Sequence, residues 1–222
     1  MPLGGVSNPA KWSRWSLATG RSKQDSRPQQ VRIIGGRLRS RRIAVPAVAG
    51  VRPSPDRVRV TLFNWLQAVV PGARCLDLFA GSGALGFEAW SRDAQAVVAV
   101  ESDARVVAHL HAQARQLGIP EGVPGVQIVA APAEDYLRHP PATPFDIVFL
   151  DPPFHHGWVA QICAQLAEGA WLAPRAYVYI EAEAALSNLG LPTGWNVTRR
   201  RNAGQVGYHL VLVDARNEGS ET

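Results

Sequence analysis

The sequence predicts an α/β protein: a mostly parallel, seven-stranded sheet with helices on both faces, ended by an antiparallel hairpin and preceded by a small basic β-hairpin. Three observations predict it. From Arg74 onward, apolar runs of strand length alternate with segments of helical periodicity. A glycine-rich loop joins the first of these strands to the helix after it. The last two strand-like runs have only Asn202-Ala203-Gly204 between them, which is a hairpin and leaves no room for a helix.

Residues 1–29 are rich in Ser, Pro, Gln, Gly and basic side chains without periodicity, and read as a disordered basic tail. Residues 30–50 form the hairpin extension, with one strand at Val31–Gly36 and another at about Arg41–Val45. The main domain follows over 51–215, with a short tail at 216–222. Its first helix opens after Pro55 and places Val58, Leu62, Trp65, Leu66 and Val69 on one face, and Pro71-Gly72 stops it. Strands are predicted at Cys75–Phe79, Ala96–Val100, Val126–Val129, Phe145–Leu150 and Tyr177–Ile180. The helices between them are Ala84–Ser91, Asp103–Leu117, Glu134–Leu137 and Trp158–Leu166. Trp195–Arg201 and Gln205–Val213 make the closing hairpin.

Composition narrows the function. No apolar run is long enough to span a membrane, and basic residues interrupt the first 23 positions where a signal-peptide core would lie. The two cysteines are far apart, Cys75 sits in a strand pattern, and no metal-ligand spacing exists. The chain therefore reads as a cytoplasmic protein without a metal, and as a monomer. Charge is unevenly spread: residues 1–59 hold 13 Lys/Arg against 2 Asp/Glu, whereas residues 60–222 hold 10 against 16. A basic arm before an acidic domain fits a polyanionic partner, against the plainer alternative of a solvated tail.

Asp77-Leu78-Phe79-Ala80-Gly81-Ser82-Gly83-Ala84-Leu85-Gly86 has the glycine spacing of a dinucleotide loop, and Glu101 ends the next strand where a carboxylate can accept both hydroxyls of a ribose. A nicotinamide enzyme is thus one candidate. Asp77 argues against it, because an acid beside the loop repels a pyrophosphate and attracts a cofactor carrying sulfonium and ammonium charge. Turn chemistry for the glycines and a solvated strand end for Glu101 are the structural alternatives. Ala133, at the start of the helix after the third strand, offers a backbone amide to an adenine. Glu134 and Asp135 fit the helix macrodipole equally well.

Phe145–Leu150 ends in Asp151-Pro152-Pro153-Phe154 at the ligand-binding edge of the sheet. An exocyclic amine is a poor nucleophile because its lone pair is delocalised into the ring. Asp151 can accept a hydrogen bond from one N–H and the Pro152 carbonyl from the other, and Phe154 can stack on the base. The two prolines stiffen the backbone and donate nothing. The alternative is a Pro-rich turn with Phe154 in the core. His155 and His156 read as exposed or phosphate-contacting, since nothing completes a triad.

On these residues the chain resembles the RsmD-type 16S ribosomal RNA guanine-N2 methyltransferases, from about Val31 to Val213. The resemblance rests on Arg32-Ile33-Ile34-Gly35-Gly36, Arg52-Pro53-x-x-Asp56-Arg57-Val58-Arg59 with Leu62-Phe63-Asn64, the segment Leu76–Gly86, Asp151–Phe154, and Gly204-Gln205-Val206 with Tyr208. It implies a Rossmann-like class I methyltransferase fold and transfer of a methyl group from S-adenosylmethionine to N2 of a guanine in 16S ribosomal RNA of the small subunit. It implies Asp151, Pro152 and Phe154 on the guanine, and Asp77, Phe79, Gly81, Gly83, Glu101 and Ala133 on the cofactor. Arg32, Arg37, Arg39, Arg41, Arg42, Arg52 and Arg59 are the candidate RNA contacts. Three positions depart from the family: Ser54 replaces a usual Thr, Val60 a usual Glu, and Pro132 a usual Asp or Asn. The alternatives are an amine methyltransferase acting on another RNA, DNA adenine or a protein, and a non-catalytic ribosome-assembly factor.

Overall fold

The computed structural model describes residues 29–122, 124–154, 157–186 and 188–214. The tail read over 1–29 lies outside them but for its last residue, as do His155, His156 and 216–222. The hairpin pairs β1 (Gln30–Arg32) with β2 (Arg42–Ala44). The strand expected to reach Gly36 stops at Arg32, because Gly36 adopts φ 74° and turns the chain. A Cβ at Gly36 would lie 1.7 Å from the Ser91 carbonyl oxygen, so no other residue fits there.

The main layer comprises α1 (Asp56–Trp65), β3 (Arg74–Asp77), α2 (Ala84–Ser91), β4 (Ala96–Glu101), α3 (Ala104–Leu117), β5 (Val126–Ala130), α4 (Ala133–Tyr136), β6 (Phe145–Leu150), α5 (Trp158–Glu168), β7 (Leu172–Glu183), β8 (Trp195–Ala203) and β9 (Val206–Asp214). Their seven strands lie in the order β5-β4-β3-β6-β7-β9-β8. The pairs from β5 to β7 are parallel; β7–β9 and β9–β8 are antiparallel. Local chemistry sets the boundaries. The Asp103 side chain accepts from the Arg105 amide and caps α3, and Gly118 ends it at φ 70°.

Each face of the sheet buries its own core. Leu62 and Phe63 of α1, Phe87 of α2 and Leu110 of α3 pack with Ile147, Phe149, Tyr179 and Tyr208 on one face. Ala133 of α4 and Val159, Ile162 and Leu166 of α5 pack with Leu76, Val148, Val178 and Val211 on the other. Cys75 and Cys163 are free and buried. No helix among the described residues is long and apolar enough to cross a membrane.

The chain moves outward from β3 to β4 and β5, then returns to place β6 on the other side of β3. That reversal opens a crevice at the carboxyl ends of β3 and β6, where open parallel sheets bind ligands. Asp77 and Asp151 stand at its two sides.

Candidate active site

The loop after β3 turns tightly because Gly81 and Gly83 take φ values of 49° and 78°. A Cβ at Gly83 would come within 2.5 Å of the Phe87 ring, so the loop can reach α2 only through a glycine. Asp77 is 2% exposed and accepts a hydrogen bond from the Gly86 amide at 3.1 Å. Burial pushes its carboxyl up to about 7; the Gly86 and Phe79 amides oppose the rise and Glu101 adds to it. Glu101 holds the loop in place by accepting from the amides of Gly81 at 3.0 Å, Ser102 at 2.8 Å and Asp103 at 2.9 Å.

Other residues expected near a cofactor surround this loop. Phe79 is half-buried and meets the Trp158 ring edge-on, with centroids 6.4 Å apart. Ala133 opens α4 close to Glu101, whose carbonyl accepts from the Ala131 amide at 3.0 Å. Asp135 pairs with Arg138 at 3.1 Å, which accounts for that acid as a helix-surface charge.

Asp151 follows β6. Burial, then the nearby charges of Glu181 and Asp77, hold its carboxyl well above the ordinary carboxylate range, and a hydrogen bond with Ser54 opposes the rise. Pro152 is buried and Phe154 half-buried. Beside them lies a cavity of about 570 Å³ lined by Pro152, Phe154, Trp158, Glu181, Leu186 and Leu189, among others. That is within the usual range for small-ligand sites.

The sequence reading missed Glu181 and Tyr179 as site residues. Glu181 is 3% exposed; Ser54 donates to its Oε1 at 2.5 Å and Tyr179 at 2.8 Å. Burial raises its carboxyl, and both hydroxyls oppose the rise. Register explains the cluster. Phe149 pairs with both Asp77 and Tyr179, so Asp151 and Glu181, each two residues further on, share the α1 face with Asp77. A signal was available, since Glu181 ends an apolar strand as Asp77, Glu101 and Asp151 do.

The arginines divide. Arg32, Arg39, Arg41, Arg42 and Arg52 are exposed. Arg37 stacks over Trp90 at 4.2 Å and donates to its carbonyl at 3.1 Å. Arg59, expected on RNA, is a correction: its side chain is 0% exposed. It donates to the carbonyls of Ser54 and Arg32 and to Asp56, and lies 3.7 Å from buried Glu88. Glu88 also accepts from the amides of Ile34 and Gly35 and from Arg92. Arg59 thus fastens the hairpin, through Glu88, to α2.

Residues 31–212 match the family described as Conserved hypothetical protein 95. The chain is 41% identical over 189 residues to Ribosomal RNA small subunit methyltransferase D of Escherichia coli K12, covering 85% of this chain and 93% of that protein. It is 40% identical over 182 residues to the protein of the same name from Haemophilus influenzae, with 82% and 93% covered. The solved structure of the Escherichia coli protein yhhF superposes with a TM-score of 0.76 at 40% identity, covering 84% of this chain and 99% of that one.

Proposed function

This chain belongs to the Conserved hypothetical protein 95 family, that of ribosomal RNA small subunit methyltransferase D, and on that premise we propose that it transfers a methyl group from S-adenosylmethionine to the exocyclic N2 amine of one guanine in 16S ribosomal RNA. The observation that carries this reading is the trio of buried Asp77 and Glu181 and half-buried Asp151, on one face of the sheet beside a glycine loop and a cavity. Closely placed buried carboxylates without a cation suit a positively charged cofactor.

The donor set fits S-adenosylmethionine. Asp77 would face its positive charge, Glu101 its ribose hydroxyls, and the Ala133 backbone its adenine, with Gly81 and Gly83 allowing close approach. When bound, the cofactor supplies an electrophilic methyl group on a sulfonium.

The remaining chemistry belongs to the chain. The cavity beside Phe154 receives the guanine, taken out of its stack. Asp151 accepts a hydrogen bond from one amine N–H and the Pro152 carbonyl from the other, which draws the nitrogen towards a tetrahedral, nucleophilic geometry. Once methylated, the nitrogen must lose one proton. Asp151 is placed to take it, and burial with the nearby charges of Glu181 and Asp77 makes its carboxylate a stronger base than usual. Ser54 and Tyr179 hold Glu181 beside Asp151. The exposed arginines of the hairpin provide further phosphate contacts.

Small subunits isolated without this modification, incubated with the protein and methyl-labelled S-adenosylmethionine, test the reading. Label confined to N2 of one guanine is the expected result. Label on adenine, on another RNA or on protein would replace the substrate. Binding of NAD but not of S-adenosylmethionine in calorimetric titration would overturn the chemistry. Cofactor binding without methylation of any substrate would favour a non-catalytic assembly factor.

A further inference from the structure

The tip of the hairpin, Arg37 to Arg41, and the catalytic loop lie at opposite ends of the sheet, although Arg32 at the hairpin's base reaches Ser54 through Arg59. α2 starts at the glycine loop and α3 starts beside Glu101, so both helices run away from the catalytic edge. The hairpin tip docks on their far ends: the Arg37 amide donates to the Ser91 carbonyl, and the Arg41 side chain donates to the Gln116 carbonyl at 2.9 Å. At 1.5 Å per residue, α3 alone separates Arg41 from Glu101 by about 20 Å. Phosphates next to the target nucleotide must therefore be held by something nearer than the tip.

The closing hairpin supplies it. β8 is an edge strand of the sheet and carries Arg199-Arg200-Arg201, all exposed, towards its carboxyl end. Arg200 pairs with His209, His209 with Ile180, and Ile180 with Leu150, the residue before Asp151. The three arginines thus sit level with the catalytic loop, about 14 Å away across three strand spacings. Arg199 pairs with Leu210 and Arg201 with Tyr208, both packed with Phe149 and Tyr179, so Arg199 and Arg201 share the α1 face with Asp151 and Glu181.

The distribution of charge speaks against simple edge protection. An exposed edge strand often carries charge to block pairing with another chain, and that role does not favour one end of the strand over the other. Here the first four residues of β8, Trp195-Asn196-Val197-Thr198, carry no charge, and Val197 is 46% exposed. The positive charge is confined to the half that flanks the active site. In the β8–β9 register the three arginines stand opposite Leu210, His209 and Tyr208, not opposite a carboxylate. Arg52 adds a fourth exposed cation beside Ser54 at the same edge.

We infer that Arg199 and Arg201 on β8, with Arg52, form a phosphate clamp that holds the RNA backbone next to the guanine entering the Asp151 loop. The clamp rests on the RNA-methylating function proposed above. Each phosphate neutralised by an arginine releases condensed counterions, so binding through the clamp weakens with salt.

The test is the double substitution Arg199→Ala/Arg201→Ala in the full chain, alongside the wild type and Arg199→Lys/Arg201→Lys. Affinity for undermethylated small subunits and for protein-free 16S RNA is measured against salt, together with methylation kinetics. The alanine pair should raise KM on the order of tenfold and lower the slope of log affinity against log salt by about two. S-adenosylmethionine affinity and the thermal melt should stay unchanged, and the lysine pair should recover most of the slope. An alanine pair with wild-type KM and salt slope overturns the clamp while the wild type still methylates. A loss of affinity for subunits but not for protein-free RNA also overturns it, by assigning the surface to a ribosomal protein. If the wild type methylates no RNA, the proposed function itself fails, and that result is distinct from both.

Discussion

Two regions of this molecule bury acidic side chains and treat them in opposite ways. Under the hairpin, fully buried Glu88 is surrounded by donors: two backbone amides, the Arg92 guanidinium at 2.8 Å and the buried Arg59. At the carboxyl edge, Asp77, Asp151 and Glu181 face one another, with only amides and hydroxyls to satisfy them. A buried charge that serves the fold is compensated within the fold. A buried charge left facing others of its own sign costs stability, and that cost is recovered when a cation binds. The contrast separates structural acids from functional ones more cleanly than burial does.

The largest expected effect is on the compensated side. Glu88→Ala leaves Arg59 buried beside an empty position and releases the Ile34 and Gly35 amides, and should destabilise the protein by about 3 kcal/mol in urea unfolding. A loss below about 1 kcal/mol would mean that Glu88 does not fasten the hairpin. On the other side, Asp151→Ala should lower turnover by about two orders of magnitude with little change in cofactor affinity. Near-normal turnover would remove Asp151 from the chemistry.

Asp77 tests the uncompensated side through pH. Its folded pKa of about 7 is above the ordinary carboxylate value, so the folded state binds the extra proton between the two. Its contribution makes the ligand-free protein lose stability as pH rises through that window, and the loss is complete above about 7. A cationic cofactor needs the ionised form, so its affinity should fall about tenfold per pH unit below 7 and level off above. Asp77→Asn should remove this pH dependence and raise the melting temperature of the ligand-free protein while weakening cofactor binding. A variant that melts lower would show that Asp77 is compensated after all.

The smallest effect belongs to the hairpin tip. Arg39→Ala/Arg41→Ala/Arg42→Ala should lower the salt dependence of subunit binding and leave turnover at saturation unchanged, because these residues lie far from Asp151. An unchanged slope would reduce the tip to a solubilising surface.

Much of the fold could be read from the sequence because period and punctuation agree. Apolar runs alternate with helical patterns, and Asn202-Ala203-Gly204 admits only a hairpin. Asp77, Glu101 and Asp151 were legible because each ends an apolar run. Glu181 does so too, but its strand was cut at Ile180. β7 in fact spans Leu172–Glu183, since pairing with β6 and β9 extends it over polar and proline residues that no apolar pattern reveals. Arg59 could not be assigned from its neighbours. In a basic arm it looks like a phosphate contact, and its burial depends on Glu88, in a helix whose sequence names no partner for that acid. The β-branched Val31, Ile33 and Ile34 extend the strand pattern towards Gly36, whereas Gly36 imposes a turn.

The hydrogen bond between Ser54 and Glu181 joins residues 127 apart in the chain. During synthesis at about 5–20 residues per second, Glu181 is added roughly 6 to 25 s after Ser54. For that interval the basic arm already exists without the pocket it serves. The catalytic edge is therefore among the last parts of the protein to take shape, and any truncation that removes β7 abolishes it even where the glycine loop and Asp151 survive.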